Sequence, residues 1–333
     1  MTLLAAGVGG CLVLALAIAN PSLGRGQGGA DGRLDPAAWG SDHVGERVPE
    51  YLTGDECLFC HRRDIGPGFA SDRHNLTIRP IEEGPDALRE LERNPSTREL
   101  AEAVVYLMGG ERQRRFLKPA REYGKLELLS TRWEPPRTDR PGGLLDLDRP
   151  HWDVDTFGNA CAGCHATGVE SETRAFSAVS LDCYVCHGAV DPKHSTGATR
   201  VLLSRSAPDP PRVLMSICAQ CHLRGGRSKS SGLPYPNTFV AGDNLFRDFQ
   251  VDLSPEAIAR LHPTDRHVFE NVRDVVARGD ESLTCLSCHD VHRQSTARHR
   301  KVTRRALCVH CHDPDGRETT HDPQSAHSAT CRY

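Results

Sequence analysis

Six times along its 333 residues this chain repeats one pattern: a cysteine, two residues, a second cysteine, and a histidine directly after it. The repeats are Cys57/Cys60/His61, Cys161/Cys164/His165, Cys183/Cys186/His187, Cys218/Cys221/His222, Cys285/Cys288/His289 and Cys308/Cys311/His312, and they use twelve of the 14 cysteines. Histidine is only 17 of 333 residues, so a histidine after every pair has chance odds of about one in 10^8. A disulfide framework has no use for that histidine, and a zinc ribbon needs none after each pair. C-x-x-C-H is the attachment signal for c-type haem. Two thiols a short turn apart add to the two vinyl groups of one porphyrin, and the adjacent imidazole gives a nitrogen to its iron. The sequence therefore predicts six covalent haem c groups, held by the twelve cysteines, with His61, His165, His187, His222, His289 and His312 as proximal iron ligands.

Composition agrees. Apolar residues are 38% of the chain and aromatics 5%, beside 30 Gly and 22 Pro. That argues against one large side-chain core and against a multi-span membrane protein. Past residue 20 there are about 52 residues per haem, too few for a separate core around each. The haems are expected to be much of the interior, stacked close together and wrapped by loops and short helices. Electron tunnelling falls steeply with edge distance, so such packing makes a conducting array.

Haem attachment to cysteine pairs occurs outside the cytoplasm, so an export signal is expected. Leu3 to Ala19 is uncharged and rich in Leu, Ala and Val, and Ala17-Ile18-Ala19 fits the small-x-small cleavage pattern before Asn20. No Lys or Arg precedes the stretch. An uncleaved anchor, giving membrane attachment through the N-terminus, is the alternative. Cys11 reads as a discarded signal residue rather than a lipidation site. The expected location is periplasmic or otherwise extracytoplasmic. Formal charge is −3, and two propionates per haem would take it to about −15. Five Lys against 36 Arg suits propionates, because Arg forks match carboxylates, although codon bias explains most of the excess. Arg224, Arg227 and Lys229 among glycines read as a loop, and no nucleic-acid partner is expected.

The motifs divide the chain. Motifs two and three are 22 residues apart, motifs five and six 23, and motif four stands between the two doubled modules. The expected organisation is a signal at 1–19, a Gly- and Pro-rich linker at 20–50 and a haem-bearing domain at 51–333. Within that domain haem one takes 51–80, a Cys-free insert 81–150, haems two to four 151–245, and haems five and six 246–333. In the insert, Pro95 to Ala103 reads as a helix capped by Ser96 or Thr97. Val104–Met108, Arg115–Lys118 and Leu126–Ser130 read as strands, and Pro135 to Pro150 as a turn-rich connector. Ser254-Pro255-Glu256 starts a helix. Asp265 starts another, ending at Gly279, with Val268, Val272, Val275 and Val276 on one stripe.

Eleven histidines lie outside the proximal positions: His43, His74, His151, His194, His262, His267, His292, His299, His310, His321 and His327. Beyond the start only Met108 and Met215 are available as thioethers, so bis-His ligation and low potentials are expected. His74 is the first candidate for a distal ligand, then His194 and His292, then His151 and His267. His310 sits inside motif six and is aimed elsewhere by the backbone.

Several segments resemble a known family. Tyr51-Leu52-Thr53-Gly54 before Cys57, Ser71-Asp72-Arg73-His74, Gln113-Arg114-Arg115-Phe116-Leu117 through Trp133, and Cys161-Ala162-Gly163-Cys164-His165-Ala166-Thr167-Gly168 are similar to the multihaem cytochromes related to the tetrahaem carrier of nitrifying bacteria. So are Ala241-Gly242-Asp243 and Cys285-Leu286-Ser287-Cys288-His289-Asp290-Val291-His292. The resemblance spans about residues 50–333. It implies electron transfer and a mainly α multihaem cytochrome c fold, with much irregular loop and a small β element. It also implies His74 as a distal ligand. Members often continue with another haem motif, so Cys331-Arg332-Tyr333 reads either as the opening of a seventh one or as a lone tail thiol.

Two functions are compatible with these residues. One is an electron carrier in which every iron is six-coordinate and electrons pass between a redox protein donor and acceptor, soluble or membrane-bound. A haem-bearing module docked to a larger complex is a form of it. The other is a multihaem oxidoreductase of nitrite or hydroxylamine, which needs one five-coordinate haem and nearby His, Tyr or Arg. No C-x-x-C-K variant is present, and the carrier is preferred. The export reading has a direct test: the exported protein should begin at Asn20 by N-terminal sequencing, whereas a chain retaining residues 3–19 would identify an anchor.

Overall fold

The computed structural model describes residues 54–110, 112–188, 190, 194, 201–204, 208–277, 279 and 284–292. The apolar stretch 3–19, the linker, Cys331, His43, His299, His310, His321 and His327 lie outside the described residues. So does all of motif six, Cys308, Cys311 and His312. Among the described residues no helix is long and apolar enough to cross a membrane.

The described chain opens with α1 (Gly54–His61), a short α2 (Gly66–Phe69) and then an antiparallel sheet. Its strands are β1 (Ile78–Pro80), β2 (Tyr106–Gly109), β3 (Arg114–Pro119), β4 (Leu126–Glu134), β5 (Gly143–Leu145) and β6 (Trp152–Asp153). They run in the order β1-β2-β3-β4-β5, and β6 also pairs with β4. Between β1 and β2 lie α3 (Pro85–Arg93) and α4 (Arg98–Ala101).

Alternation along the strands gives the sheet two buried faces. Met108, Leu117 and Leu128 point to one face with Ile78 and Leu126. Their neighbours Leu107, Phe116 and Leu129 point to the other with Trp133. The second face is covered by Ala87 and Leu91 of α3 and Ala101 of α4. The α3 sequence has reason to be helical: Pro85 fills a first-turn position where no amide donor is needed, Asp86 meets the positive helix end, and Ala87 and Leu91 share a face. The first face is covered by Phe157, Ala162, Ala166 and Phe176. Phe157 lies in α5 (Thr156–Ala160), and Ala162 in α6 (Ala162–His165), the helix of motif two. The sheet is thus a two-sided slab against which motif two is fixed.

A second core surrounds α8 (Pro211–His222), whose last turn carries motif four. On one side Met215 and Ala219, with Leu223 beyond the helix, pack with Leu245, Phe249, Ile258, Phe269, Val272 and Val275. On the other, Val213 and Ile217 pack with Leu202, Ala241 and the motif-three thiol of Cys186. The α9 helix (Pro255–Ala259) begins as expected, with the Ser254 hydroxyl accepting from the Ala257 amide at 3.3 Å. The α10 helix (Pro263–Val272) continues into a π-helical turn at Arg273–Ala277 and carries the expected valine stripe into this core.

Some expectations change. The described residues combine helices and sheets, at 35% helical and 17% strand, and the sheet is larger than the small β element anticipated. The connector after Pro135 contributes β5. The helix expected over Pro95 to Ala103 shrinks to α4. Thr97 does not cap it; its hydroxyl donates to the Leu91 carbonyl at 2.7 Å, closing the end of α3. The later helix starts at Pro263 rather than Asp265, since proline is tolerated in a first turn. Of the residues read as a loop, Arg227 instead opens a strand: β7 (Arg227–Ser228) pairs with β8 (Phe249–Gln250), while Lys229 lies in the turn that follows, its Nζ donating to the carbonyls of Phe246 and Arg247.

Phe116, fully buried in the sheet, is the natural probe of this slab. Phe116→Ala is expected to cost about 3–5 kcal/mol, read as a lowered urea midpoint by the fluorescence of Trp133 and Trp152. Loss of less than about 1 kcal/mol would contradict the packing described.

Candidate cofactor site: paired thiols and imidazoles

Each described motif sits on a helical turn. Motif one ends α1, motif two spans α6 and its preceding residue, motif three is α7 (Cys183–His187), motif four ends α8, and motif five is α11 (Cys285–Cys288) with His289 beyond it. Helical spacing explains why. Residues i, i+3 and i+4 lie on one face, so both thiols and the imidazole emerge together. Asp182 caps α7 by accepting from the Tyr184 amide, and Gly188, at φ 65°, lets the chain leave directly after His187. Here a positive φ is needed, and glycine supplies it without a Cβ penalty.

The turns are stitched to one another. The Ser180 hydroxyl donates to the Ile78 carbonyl at 2.6 Å and accepts from the Ile78 amide at 2.9 Å. Backbone bonds run from Ser180 to the His165 carbonyl (3.0 Å) and from Leu181 to the His74 carbonyl (3.2 Å). The segment between motifs two and three therefore holds the His74 loop beside both.

Histidines from different parts of the chain meet in pairs. His61 and His194 stack with ring centroids 6.1 Å apart and planes 19° apart. His187 and His292 stack at 5.9 Å and 13°. His74 and His222 stand at 6.2 Å, edge to face at 75°. In each pair one partner is a motif histidine and the other lies outside the motifs. Metal–imidazole bonds run about 2 Å and a ring centre lies about 1 Å beyond its nitrogen, so two imidazoles on opposite sides of one iron have centroids about 6 Å apart. The donor set present fits a haem iron. Among the described residues no three or more of His, Cys, Asp and Glu converge as a bare metal ion would need.

Ring orientation is fixed from behind. His187 Nδ1 lies 2.7 Å from the Leu202 carbonyl, which can only accept, so the Nε2 lone pair is free. His74 Nδ1 is 2.9 Å from the buried Asp72 carboxylate, and the same oxygen accepts the His74 amide at 2.8 Å. His61 Nδ1 is 3.2 Å from Asp64. Carbonyl or carboxylate partners of this kind set the tautomer and aim of ligating histidines. Burial lowers the pKa of His165 and of His222 to about 4 and lowers that of His187. These rings are neutral near pH 7 and keep a nitrogen lone pair for a metal. His165 Nδ1 is buried without a hydrogen-bond partner.

The thiols also meet across motifs. Cys57 and Cys183 share a side-chain hydrogen bond, which takes Cys57 down to about 7 and pushes Cys183 up. Cys164 bonds with Cys221, and Cys218 with Cys285. Burial pushes Cys161 and Cys186 up to about 11. Cys60 stands apart from the other attachment thiols. It is exposed, whereas the other described thiols, Cys57 among them, are half-buried. The reason lies in how α1 is seated: it meets α7 through Cys57, and Cys60, one turn later at the helix end, is left at the outer edge of the cluster. Of the predicted attachment cysteines, Cys308 and Cys311 and the Cys288 side chain lie outside the described residues.

Of the candidate distal residues, His74, His194 and His292 each face a motif histidine. His267 and His289 are both electrostatic neighbours of His222. His151 is held beside β4 instead: it is exposed, its amide donates to Ser130 Oγ at 3.0 Å and its Nδ1 lies 2.9 Å from the Arg149 carbonyl. Met108 and Met215 are both buried core residues. The orienting groups Asp72 and Leu202 were not singled out from the sequence. An acid two residues before His74 was the available signal for the first; a backbone carbonyl gives none.

A family model described as a doubled CXXCH motif matches residues 274–317. Among solved structures, the chain is similar to the undecaheme cytochrome from the S-layer of Carboxydothermus ferrireducens, with 14% identity and a TM-score of 0.45 over 81% of this chain and 44% of that one. The chain thus spans less than half the length of that protein. No curated protein matches. The doubled motif, with the motifs above, supports a multihaem c-type cytochrome with covalent haem c.

Motif two offers a local test. A Cβ on Gly163 would run into the ring of Tyr235, which is fully buried and donates to the Gly158 carbonyl at 2.5 Å. Gly163→Ala is expected to cost about 1–3 kcal/mol through overpacking, read as a fall in thermal midpoint. An unchanged midpoint would contradict this contact.

Proposed function

We propose that the protein is an extracytoplasmic electron carrier holding six covalent haems, mostly bis-His ligated and of low potential, which relays electrons between a redox protein donor and acceptor. The observation that carries this reading is the set of three imidazole pairs at 5.9–6.2 Å, each joining a motif histidine to one outside the motifs. An imidazole on each side would leave no position for a substrate at those three irons, which favours a carrier over an oxidoreductase of nitrogen compounds. When bound, haem supplies a one-electron iron couple, and the lack of methionine ligands keeps its potential low.

On this reading His61 and His194 hold the haem of motif one, His187 and His292 that of motif three, and His222 and His74 that of motif four. Asp72 and the Leu202 carbonyl orient His74 and His187 through Nδ1. His267 is proposed opposite His289. The exposed Cys60 would anchor the outward edge of the motif-one ring. Cys308 and Cys311 would hold the sixth haem, on the strength of the doubled motif that the family model matches across them. The likeness to relatives of the nitrifier tetrahaem carrier, noted from the sequence, supports the same function.

Spin state tests both the function and the ligand assignment. The ferric holoprotein should be entirely low-spin and unresponsive to cyanide. His74→Ala, His194→Ala and His292→Ala should each convert one haem to a high-spin form that binds cyanide, and His151→Ala should convert none. A high-spin haem in the unmodified protein that shifts on adding nitrite would favour the enzyme. Three silent variants would remove the ligand assignment.

A further inference from the structure

We propose that the haem of motif four is the junction of the array, so that the electron path branches at Cys218–His222 instead of following the motifs in single file. The inference rests on the reading that each motif holds one haem.

Motif four touches three other motifs. Toward motif two, Cys221 and Cys164 share a side-chain hydrogen bond, Cys221 Sγ lies 3.8 Å from the Gly163 carbonyl, and Cys164 Sγ lies 4.0 Å from the Gln220 carbonyl. Toward motif five, Cys218 bonds with Cys285, and Cys285 Sγ lies 3.5 Å from Met215 Sδ one turn earlier on α8. Toward motif three, Gln220 Nε2 donates to the Val185 carbonyl at 3.5 Å, and Cys186 is an electrostatic neighbour of both Cys218 and Cys221. Helix packing repeats the pattern, with α6 and α11 both against α8.

Motif one is placed differently. Its α1 packs on α7, and Cys57 bonds with Cys183. Its haem is therefore reached through motif three, although the His74 loop extends to His222.

A thioether sulfur marks the edge of the ring it anchors. Thiols of two motifs in contact bring two ring edges together, which is the distance that governs tunnelling; motif three reaches motif four instead through the Gln220–Val185 bond and the packing of Cys186 against the cluster of Val213 and Ile217 on α8. The contacts give the order one, three, four, with two and five both joined to four. Each transfer is a one-electron exchange: a ferrous iron becomes ferric as its ferric neighbour becomes ferrous, with no bond made or broken. The fold accounts for the position of the junction. The α8 helix is the longest of the described helices that carry a motif, and it is buried on two sides, between the Met215 cluster and the Val213 cluster.

The test uses the full-length holoprotein, matured in a host able to attach haem c, and a structure in which ring edges are measured. The haem on Cys218 and Cys221 should have three near neighbours, those of motifs two, three and five. Two neighbours or fewer would overturn the branch. Solution evidence comes from His222→Met, which raises the potential of that one haem. In a dithionite titration followed by electron paramagnetic resonance, three further haems should shift downward, because each then titrates beside an already reduced neighbour. The motif-one haem should stay in place. Shifts confined to two haems would overturn the proposal. Protein lacking haem at these motifs would sink the underlying reading itself, whereas full loading with a single-file arrangement would sink the branch alone.

Discussion

One turn of helix carrying two thiols and an imidazole on the same face is the unit on which the rest of the chain is arranged. The spacing of C-x-x-C-H fixes that geometry before any tertiary contact exists. On the proposed reading each motif calls for something it cannot supply alone, an imidazole on the far side of its iron. For three of the described motifs a facing imidazole comes from elsewhere in the chain, His74 and His222 being 148 positions apart and His187 and His292 105. Long-range order therefore comes from pairing side chains across motifs as much as from apolar packing.

The protein side of the structure supports those pairs with two small cores. The sheet slab pins motif two through Phe157 and Ala162 and, by the Ser180 and Leu181 bonds, the His74 loop. The α8 core pins motif four and, through Cys186, motif three. Motif one sits at the margin of this arrangement, with Cys57 turned in toward Cys183 and Cys60 left exposed. Orienting groups do the finer work. A carbonyl at Leu202 and a carboxylate at Asp72 hold two imidazoles at fixed angles.

Much of the site was legible in the sequence because its chemistry is local. Cysteine spacing and the adjacent histidine need no fold to be recognised, and neither does the Ser254 cap of α9. Spacing treats all twelve motif thiols alike, however, and so gave no sign that Cys60 would lie at the surface: burial depends on which helix packs against which. The pairing of His194 with His61, or of His292 with His187, is not local either, and spacing could nominate the residues without matching them. The sheet was half legible. Leu126 to Ser130 alternates strongly enough to be found, whereas Gly143–Leu145 and Trp152–Asp153 are strands only because β4 offers an edge to each. Thr97 looked like a cap and instead closes the preceding helix, a competition between neighbouring helix ends that residue type cannot decide.

The paired imidazoles and the proposed electron path both depend on iron porphyrin rather than a bare metal at the cysteine pairs. Haem and metal content of the full-length protein, matured in a host that attaches haem c, measures this most directly. An alkaline pyridine assay with metal analysis should return six haems and six irons per chain, with no zinc. Colourless protein, or zinc in place of iron, would contradict the account.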